Sequence, residues 1–129
     1  MKAARILLVD DEEEILRLLT RRLTRRGYEV STATDGSRAL TLLQQGGFDV
    51  AILDFMMPVM NGLEVAAQCR LRFPGLKILM LTGSPVLKEI NEAQYPCLRK
   101  PLENLNELDL AIEQLLSSKE EKATEGDAR

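Results

Sequence analysis

Two hydrophobic patterns alternate along the chain. Short apolar or alternating runs predict buried strands, and the last of them ends at the residue before Lys100. These runs cover residues 5–9, 28–33, 48–53, 77–81 and 97–99. Between them, apolar residues recur at helical spacing, and glycine or proline ends most of these segments. The first predicted helix carries the acids of residues 10–14 in its first turn, the second follows residues 35–36, and the third covers residues 62–72. A short helical piece is predicted over 86–93 and a last helix over 105–116.

Strands that alternate with helices predict an α/β fold. Right-handed crossovers then favour a doubly wound, five-stranded parallel sheet, flavodoxin-like (βα)5, with strand order 2-1-3-4-5. The length of 129 residues fits one domain. We expect that domain to span residues 1–118 and a polar, disordered tail to span residues 119–129.

Composition narrows the class of protein. Hydrophobic residues make up 45% and charged residues 29%, which is typical of a soluble globular domain. The net charge of -3 argues against a nucleic-acid footprint over the whole chain, and no apolar run approaches the ~20 residues of a membrane span. Two cysteines and no secretory signal predict a cytoplasmic protein with free thiols. The absence of histidine removes the usual general base.

Polar residues collect at the predicted strand ends. Asp10 and Asp11 follow strand one, Asp54 follows strand three, Thr82 follows strand four and Lys100 follows strand five. In a parallel sheet these ends share one edge, so three carboxylates converge there. Such a group suits Mg²⁺, and together with an ammonium and a hydroxyl it forms a cradle for a phosphoryl group. Asp54, between them, is the candidate nucleophile.

Four motifs in this order resemble the receiver domain of two-component response regulators, in particular a stand-alone, chemotaxis-regulator-like receiver. They are Val9-Asp10-Asp11-Glu12, residues 54–62 (DFMMPVMNG), Leu81-Thr82-Gly83 and Lys100-Pro101, and the resemblance covers roughly residues 4–116.

The resemblance implies a role for each site residue. Asp54 would accept a phosphoryl group from a histidine kinase or phosphotransfer protein. Mg²⁺ would be held by Asp11, Asp54 and the backbone carbonyl of Met56, with Asp10 acting through water. Lys100 would contact the acyl phosphate, Thr82 would move to bond it, and the Lys100–Pro101 peptide would be cis.

The same resemblance implies a signalling switch rather than a turnover enzyme. We expect a downstream protein target, no direct nucleic-acid contact through this domain, no membrane association and a possible homodimer. The chain departs from the family pattern at Cys97, where receivers usually carry Tyr or Phe. The 18 positions from Thr82 to Lys100 (100 − 82) also predict a short fourth helix.

Plainer interpretations stand beside these roles. Asp10 and Asp11 could cap the first helix, Asp54 and Thr82 could be turn residues, and Lys100 could be a surface charge. We expect a small hydrophobic Cys69 on a helix face and a buried Cys97 in strand five. The arginines late in the first helix predict a solvated face or, alternatively, a docking site for an acidic partner; they are Arg21, Arg22, Arg25 and Arg26.

Two other functions compete with the phosphoacceptor. One is a non-phosphorylated, receiver-like scaffold or dimerisation module, which Cys97 and the short region before it motivate. The other is a Mg²⁺-dependent phosphohydrolase with an aspartyl intermediate. Against it, Met56 occupies the place where such an enzyme would carry a second acid after Asp54.

Overall fold

A computed structural model describes residues 3–83, 95–102 and 104–128 of the chain. Strands and helices alternate along its first part, as the sequence predicts. In chain order the elements are β1 (Arg5–Val9), α1 (Glu13–Arg25), β2 (Glu29–Ala33), α2 (Gly36–Leu43), β3 (Val50–Asp54), α3 (Gly62–Arg72), β4 (Lys77–Thr82), β5 (Cys97–Arg99) and α4 (Leu105–Ala128). No helix in the described ranges is both long and apolar enough to cross a bilayer.

All neighbouring strands of the sheet run parallel in the order β2-β1-β3-β4-β5, which confirms the predicted fold class. The register pairs Val9 with Leu53, Asp54 with Leu81, and Thr82 with Arg99. Strands β1, β3, β4 and β5 therefore end side by side. The polar residues that follow them lie at one edge.

The core forms two apolar layers, one on each face of the sheet. In β1, Leu7 and Val9 face the layer of α2 and α3, whereas Ile6 and Leu8 face the layer of α1 and α4. Every residue of β3 is buried. This two-sided burial explains why the strands appear in the sequence as continuous apolar runs.

The loop from β3 to α3 is fixed close to the end of β3. Asn61 caps α3 and forms a capping box with Glu64, which satisfies two backbone N–H groups at the helix start. Gly62 follows, and a Cβ there would lie 2.6 Å from the backbone oxygen of Asp54. Only glycine permits this close approach between helix and strand.

Neither aspartate of the pair caps helix α1, contrary to the alternative in which Asp10 or Asp11 would do so. Its N-cap is Glu12, whose side chain makes no capping bond. Asp10 instead accepts the Glu12 backbone N–H through Oδ1 at 2.8 Å. Neither Asp10 nor Asp11 is therefore the N-cap residue.

Two arginines at the end of α1 pair with acids of α4. The predicted solvated face holds for Arg21, Arg25 and Arg26, which are exposed, whereas Arg22 is half-buried. Arg22 lies 2.6 Å from the nearly buried carboxylate of Asp109, and Arg26 contacts both Asp109 and Glu113. A salt-bridge network thus holds the last helix against the first.

The remaining differences concern boundaries and burial. Strand β3 starts at Val50 instead of Phe48. Cys69 is buried as expected, but the prediction of a buried Cys97 was wrong, since it is half-buried on the edge strand β5. The helical piece predicted over 86–93 lies outside the described residues. Helix α4 runs on to Ala128, and the domain boundary at residue 118 stays a prediction.

Candidate functional site

Three aspartates meet at the carboxyl edge of the sheet. Asp10 directly follows β1 and Asp54 ends β3, and both are almost fully buried at 2% and 3% exposure. Asp11 is exposed beside them. One carboxylate oxygen from each lies within 4.8 Å of the others. The structure therefore brings together the three acids that the sequence placed at strand ends.

The ammonium group of Lys100 lies among these carboxylates. Its Nζ is 2.8 Å from Asp10 Oδ2 and 3.4 Å from Asp54 Oδ1. The Lys100 backbone N–H donates to the Thr82 carbonyl at 2.8 Å, which fixes the lysine just beyond the end of β5. The peptide that follows, Lys100–Pro101, is cis, as expected. Lys100 is therefore not a free surface charge.

The two buried charges affect each other. Burial, and then the negative charge of Asp10, raise the pKa of Asp54 from 3.8 to about 6, although Lys100 and the Met56 N–H oppose this. Burial alone would lower the pKa of Lys100, but its hydrogen bond to Asp10 and the surrounding carboxylates outweigh that effect and raise it. The lysine is therefore charged at neutral pH, and Asp54 is mostly ionised there, although it holds its proton more tightly than an ordinary aspartate.

Thr82 and Met56 are the two remaining residues to which the sequence analysis gave a role in the site. Thr82 is fully buried at the end of β4, and its Oγ1 donates to the Gly83 carbonyl at 2.8 Å. The Met56 backbone N–H donates weakly to Asp54 Oδ1 at 3.4 Å, and its side chain is mostly exposed. The roles that the sequence analysis gave to these two residues stay predictions.

Comparison with known proteins decides the family. Residues 6–113 match the family model of the response regulator receiver domain. The chain belongs to this family.

Two relatives give the scale of the similarity. The receiver is 36% identical to the alginate biosynthesis transcriptional regulatory protein AlgB of Pseudomonas putida, over 97% of the chain and 30% of that protein. It is 46% identical to the alkaline phosphatase synthesis transcriptional regulatory protein PhoP of Bacillus subtilis, over 61% of the chain and 33% of that protein. The chain thus spans about a third of the length of these curated relatives.

Solved structures agree with the receiver fold. Response regulator TrrA of Thermotoga maritima, in complex with Mg²⁺ and BeF, has a TM-score of 0.80 and 36% identity, over 88% of this chain and 99% of that one. Chemotaxis protein CheY4 of Vibrio cholerae has a TM-score of 0.81 and 37% identity, over 89% of this chain and 100% of that one.

The acidic group of this receiver fits a divalent cation. Two buried carboxylates and one exposed carboxylate within reach of one another carry more negative charge than Lys100 alone balances. Carboxylate oxygens that are open to water on one side are the ligands that Mg²⁺ prefers. The donor set thus suits the cation that receivers bind.

Glu12 is a site residue to which the sequence analysis gave no role. Its Oε1 lies 3.4 Å from Lys100 Nζ, although the two residues are 88 positions apart. The available signal was its place directly after the aspartate pair, at the edge where the strands end. Helical pattern alone made it one more acid in the first turn of α1.

Proposed function

We propose that this chain is a phosphoacceptor receiver, in which Asp54 takes a phosphoryl group from a histidine kinase or phosphotransfer protein and thereby switches protein-protein contacts. The arrangement of Asp54 supports this most directly. It lies buried at the end of β3, with Lys100 Nζ 3.4 Å from its Oδ1 and two further carboxylates nearby. A helix-capping or turn aspartate needs none of these neighbours.

In the proposed transfer, an Asp54 carboxylate oxygen bonds to phosphorus as the bond from phosphorus to the donor imidazole nitrogen breaks. The imidazole nitrogen leaves with that electron pair and takes up a proton. The 129 residues contain no histidine, so the phosphohistidine lies outside them. Lys100 offsets negative charge on the phosphoryl oxygens, because such transfer relies on positioning and charge neutralisation. Water later hydrolyses the acyl phosphate and regenerates the carboxylate.

Mg²⁺ would be held by Asp11, Asp54 and the backbone carbonyl of Met56, with Asp10 acting through water. When bound, the cation would neutralise negative charge on the phosphoryl oxygens. The convergence of the three acids supports this proposal, and so does the Mg²⁺–BeF complex of the similar receiver TrrA.

The remaining proposals concern the setting of the switch. The receiver would act in the cytoplasm, as a signalling component rather than a turnover enzyme, with a downstream protein as its target. The phosphoryl group would add roughly two negative charges at the sheet edge. We propose no direct nucleic-acid or membrane contact through this domain, and a homodimer is one form in which the switched contacts could appear.

Phosphorylation itself is the direct test. The ¹⁵N-labelled receiver is incubated with Mg²⁺ and either acetyl phosphate or beryllofluoride, and Asp54→Asn serves as the control. We expect amide shifts around Asp54 and Lys100 in the wild type and none in the control. Unchanged spectra in the wild type would leave the receiver-like scaffold as the better explanation. Turnover of a generic phosphomonoester that disappears in Asp54→Asn would favour the phosphohydrolase.

Lys100→Ala separates binding of the phosphoryl group from the response to it. The variant should stay folded, because Lys100 is not part of either apolar layer of the core. Circular dichroism checks this, since the buried Asp10 loses its ion-pair partner. It should lose the phosphorylation-driven shifts beyond the site. A Lys100→Ala protein that responds like the wild type would refute the role of the lysine.

A further inference from the structure

The side chain of Glu12 forms an ion pair with Lys100, the lysine that the proposed reaction needs. Lys100 Nζ lies 3.4 Å from Glu12 Oε1 and also 3.4 Å from Asp54 Oδ1, with Asp10 Oδ2 closer at 2.8 Å. Glu12 is therefore as close to the lysine as the phosphoacceptor is. An ammonium has three donor hydrogens, so three acidic partners occupy its full capacity.

Glu12 is anchored at its backbone, whereas its side chain is largely exposed. Its N–H donates to Asp10 Oδ1 at 2.8 Å, and its carbonyl accepts the Leu16 N–H at 3.2 Å, which starts α1. Asp10 thus positions both the Glu12 backbone and the Lys100 ammonium, one with each carboxylate oxygen. The Glu12 side chain is 62% exposed, so its carboxylate can turn into water at low cost, which the buried Asp10 cannot do.

We propose that Glu12 is a positioning residue that competes with the incoming phosphoryl group for Lys100 and so slows phosphorylation of Asp54. The inference rests on the proposed function of Asp54 as phosphoacceptor. In addition to that function, the exposed carboxylate of Glu12 would determine how readily Lys100 can contact the phosphoryl group.

The direction of the effect follows from charge. A phosphoryl group that reaches Asp54 presents negative oxygens to Lys100 and is repelled by Glu12. The Glu12–Lys100 contact is therefore stronger in the resting site than in the phosphoryl-bound site. Removal of this contact should favour the bound state, and it should raise affinity for a phosphoryl mimic as well as the rate of phosphorylation.

Three variants test the contact. Glu12→Gln removes the charge, and Glu12→Asp keeps the charge but shortens the side chain by one methylene and withdraws it from Lys100. Glu14→Gln is the matched control, since Glu14 is an exposed acid two positions further along, in the first turn of α1, and forms none of the lysine's ion pairs among the described residues. Each protein is assayed with Mg²⁺ for its rate of phosphorylation by acetyl phosphate and for its affinity for beryllofluoride.

We expect Glu12→Gln and Glu12→Asp to increase both quantities by about two- to fivefold, the range for an exposed ion pair, and Glu14→Gln to stay near the wild type. Equal effects of Glu12→Gln and Glu14→Gln would overturn the inference, as would a Glu12→Asp protein that behaves like the wild type, because rim charge alone would then explain the result. In both cases the wild type still accepts phosphate. If no protein accepts acetyl phosphate or beryllofluoride, the proposed function itself fails.

Discussion

The negative charge on Asp54 should destabilise the folded, unphosphorylated protein, and Asp54→Asn should remove this destabilisation. The carboxylate is 3% exposed and lies beside the negative Asp10, which together raise its pKa from 3.8 to about 6. Because the folded-state pKa is the higher one, folding favours the protonated acid. The associated stability is fully present below about pH 4 and is lost as the pH rises through about 6.

The size of this loss follows from the two pKa values. At about 1.36 kcal/mol for each tenfold change in proton affinity, the difference between 3.8 and about 6 corresponds to at most about 3 kcal/mol. Water reaches the sheet edge through the exposed Asp11, so we expect screening to reduce it to about 1–2 kcal/mol. An asparagine keeps the oxygen that accepts the Met56 N–H and carries no charge.

Urea unfolding followed by circular dichroism measures the effect, with a chelator present and the pH varied between about 5 and 8. Asp54→Asn should exceed the wild type in free energy of unfolding by about 1–2 kcal/mol above about pH 7, and by less as the pH falls. Saturating Mg²⁺ should stabilise the wild type and narrow the difference, since a cation that binds the folded state shifts the equilibrium towards it.

Asp11→Asn is the control for net charge. It removes one acid from the same cluster, but Asp11 is exposed, so chelator-treated stability should change little. The reasoning is refuted if Asp54→Asn is less stable than the wild type at neutral pH without divalent cations. It is also refuted if the difference between the two proteins is independent of pH.

Three further predictions concern the frame around the site. Gly62→Ala should destabilise the protein by about 1–3 kcal/mol in urea unfolding, because the new Cβ would lie 2.6 Å from the Asp54 carbonyl oxygen. Gly75→Ala is the control: its Cβ would meet nothing within 4 Å, so stability should change by less than about 0.5 kcal/mol. Equal losses in the two variants would contradict this prediction. Asp109→Ala should lower the urea midpoint more than Glu113→Ala does, because Asp109 is nearly buried between Arg22 and Arg26, and the reverse order would contradict the network. A thiol reagent at neutral pH should label Cys97 in the native protein and reach Cys69 only on unfolding. Cys69 is buried, and burial raises the pKa of its thiol to about 11. Labelling of the native protein that survives Cys97→Ser would contradict this.

The sequence predicted the frame of the site because hydrophobic periodicity is a local property, and because the order of strands and helices limits the topologies a sheet can adopt. In β1, consecutive apolar residues indicated burial on both faces, and the β-α order then determined where the strands end. The positions of Asp10, Asp54 and Lys100 followed from that edge alone. Cys97 shows the limit of the same rule: its strand is the edge strand of the sheet, where one side lacks a neighbour, so an apolar residue there need not be buried.

Side-chain partners far apart in sequence were not predictable in the same way. Arg22 and Asp109 are separated by 87 positions. The helical pattern places Arg22, three positions after the buried Leu19, nearer the apolar face of α1 than Arg21. It does not identify the acid of α4 that Arg22 meets after packing. The hydroxyl direction of Thr82 was not predictable for a different reason: its acceptor is the carbonyl of the next residue, Gly83, but a hydroxyl rotates to suit whichever acceptor is near.

The order in which Lys100 gives up its contacts connects the fold to the proposed reaction. The shortest contact, to Asp10 at 2.8 Å, is buried and is reinforced by the Asp10 bond to the Glu12 backbone, so it is costly to break. The contact to Glu12 is longer at 3.4 Å and largely exposed, so it is the first to yield when a phosphoryl group presents new negative oxygens. On the proposed mechanism the lysine therefore stays tied to β1 through Asp10 while it exchanges Glu12 for the phosphoryl group. Phosphorylation then changes the start of α1 as well as the end of β5, and amide shifts at Glu12 and Glu13 should accompany those at Lys100 when beryllofluoride binds.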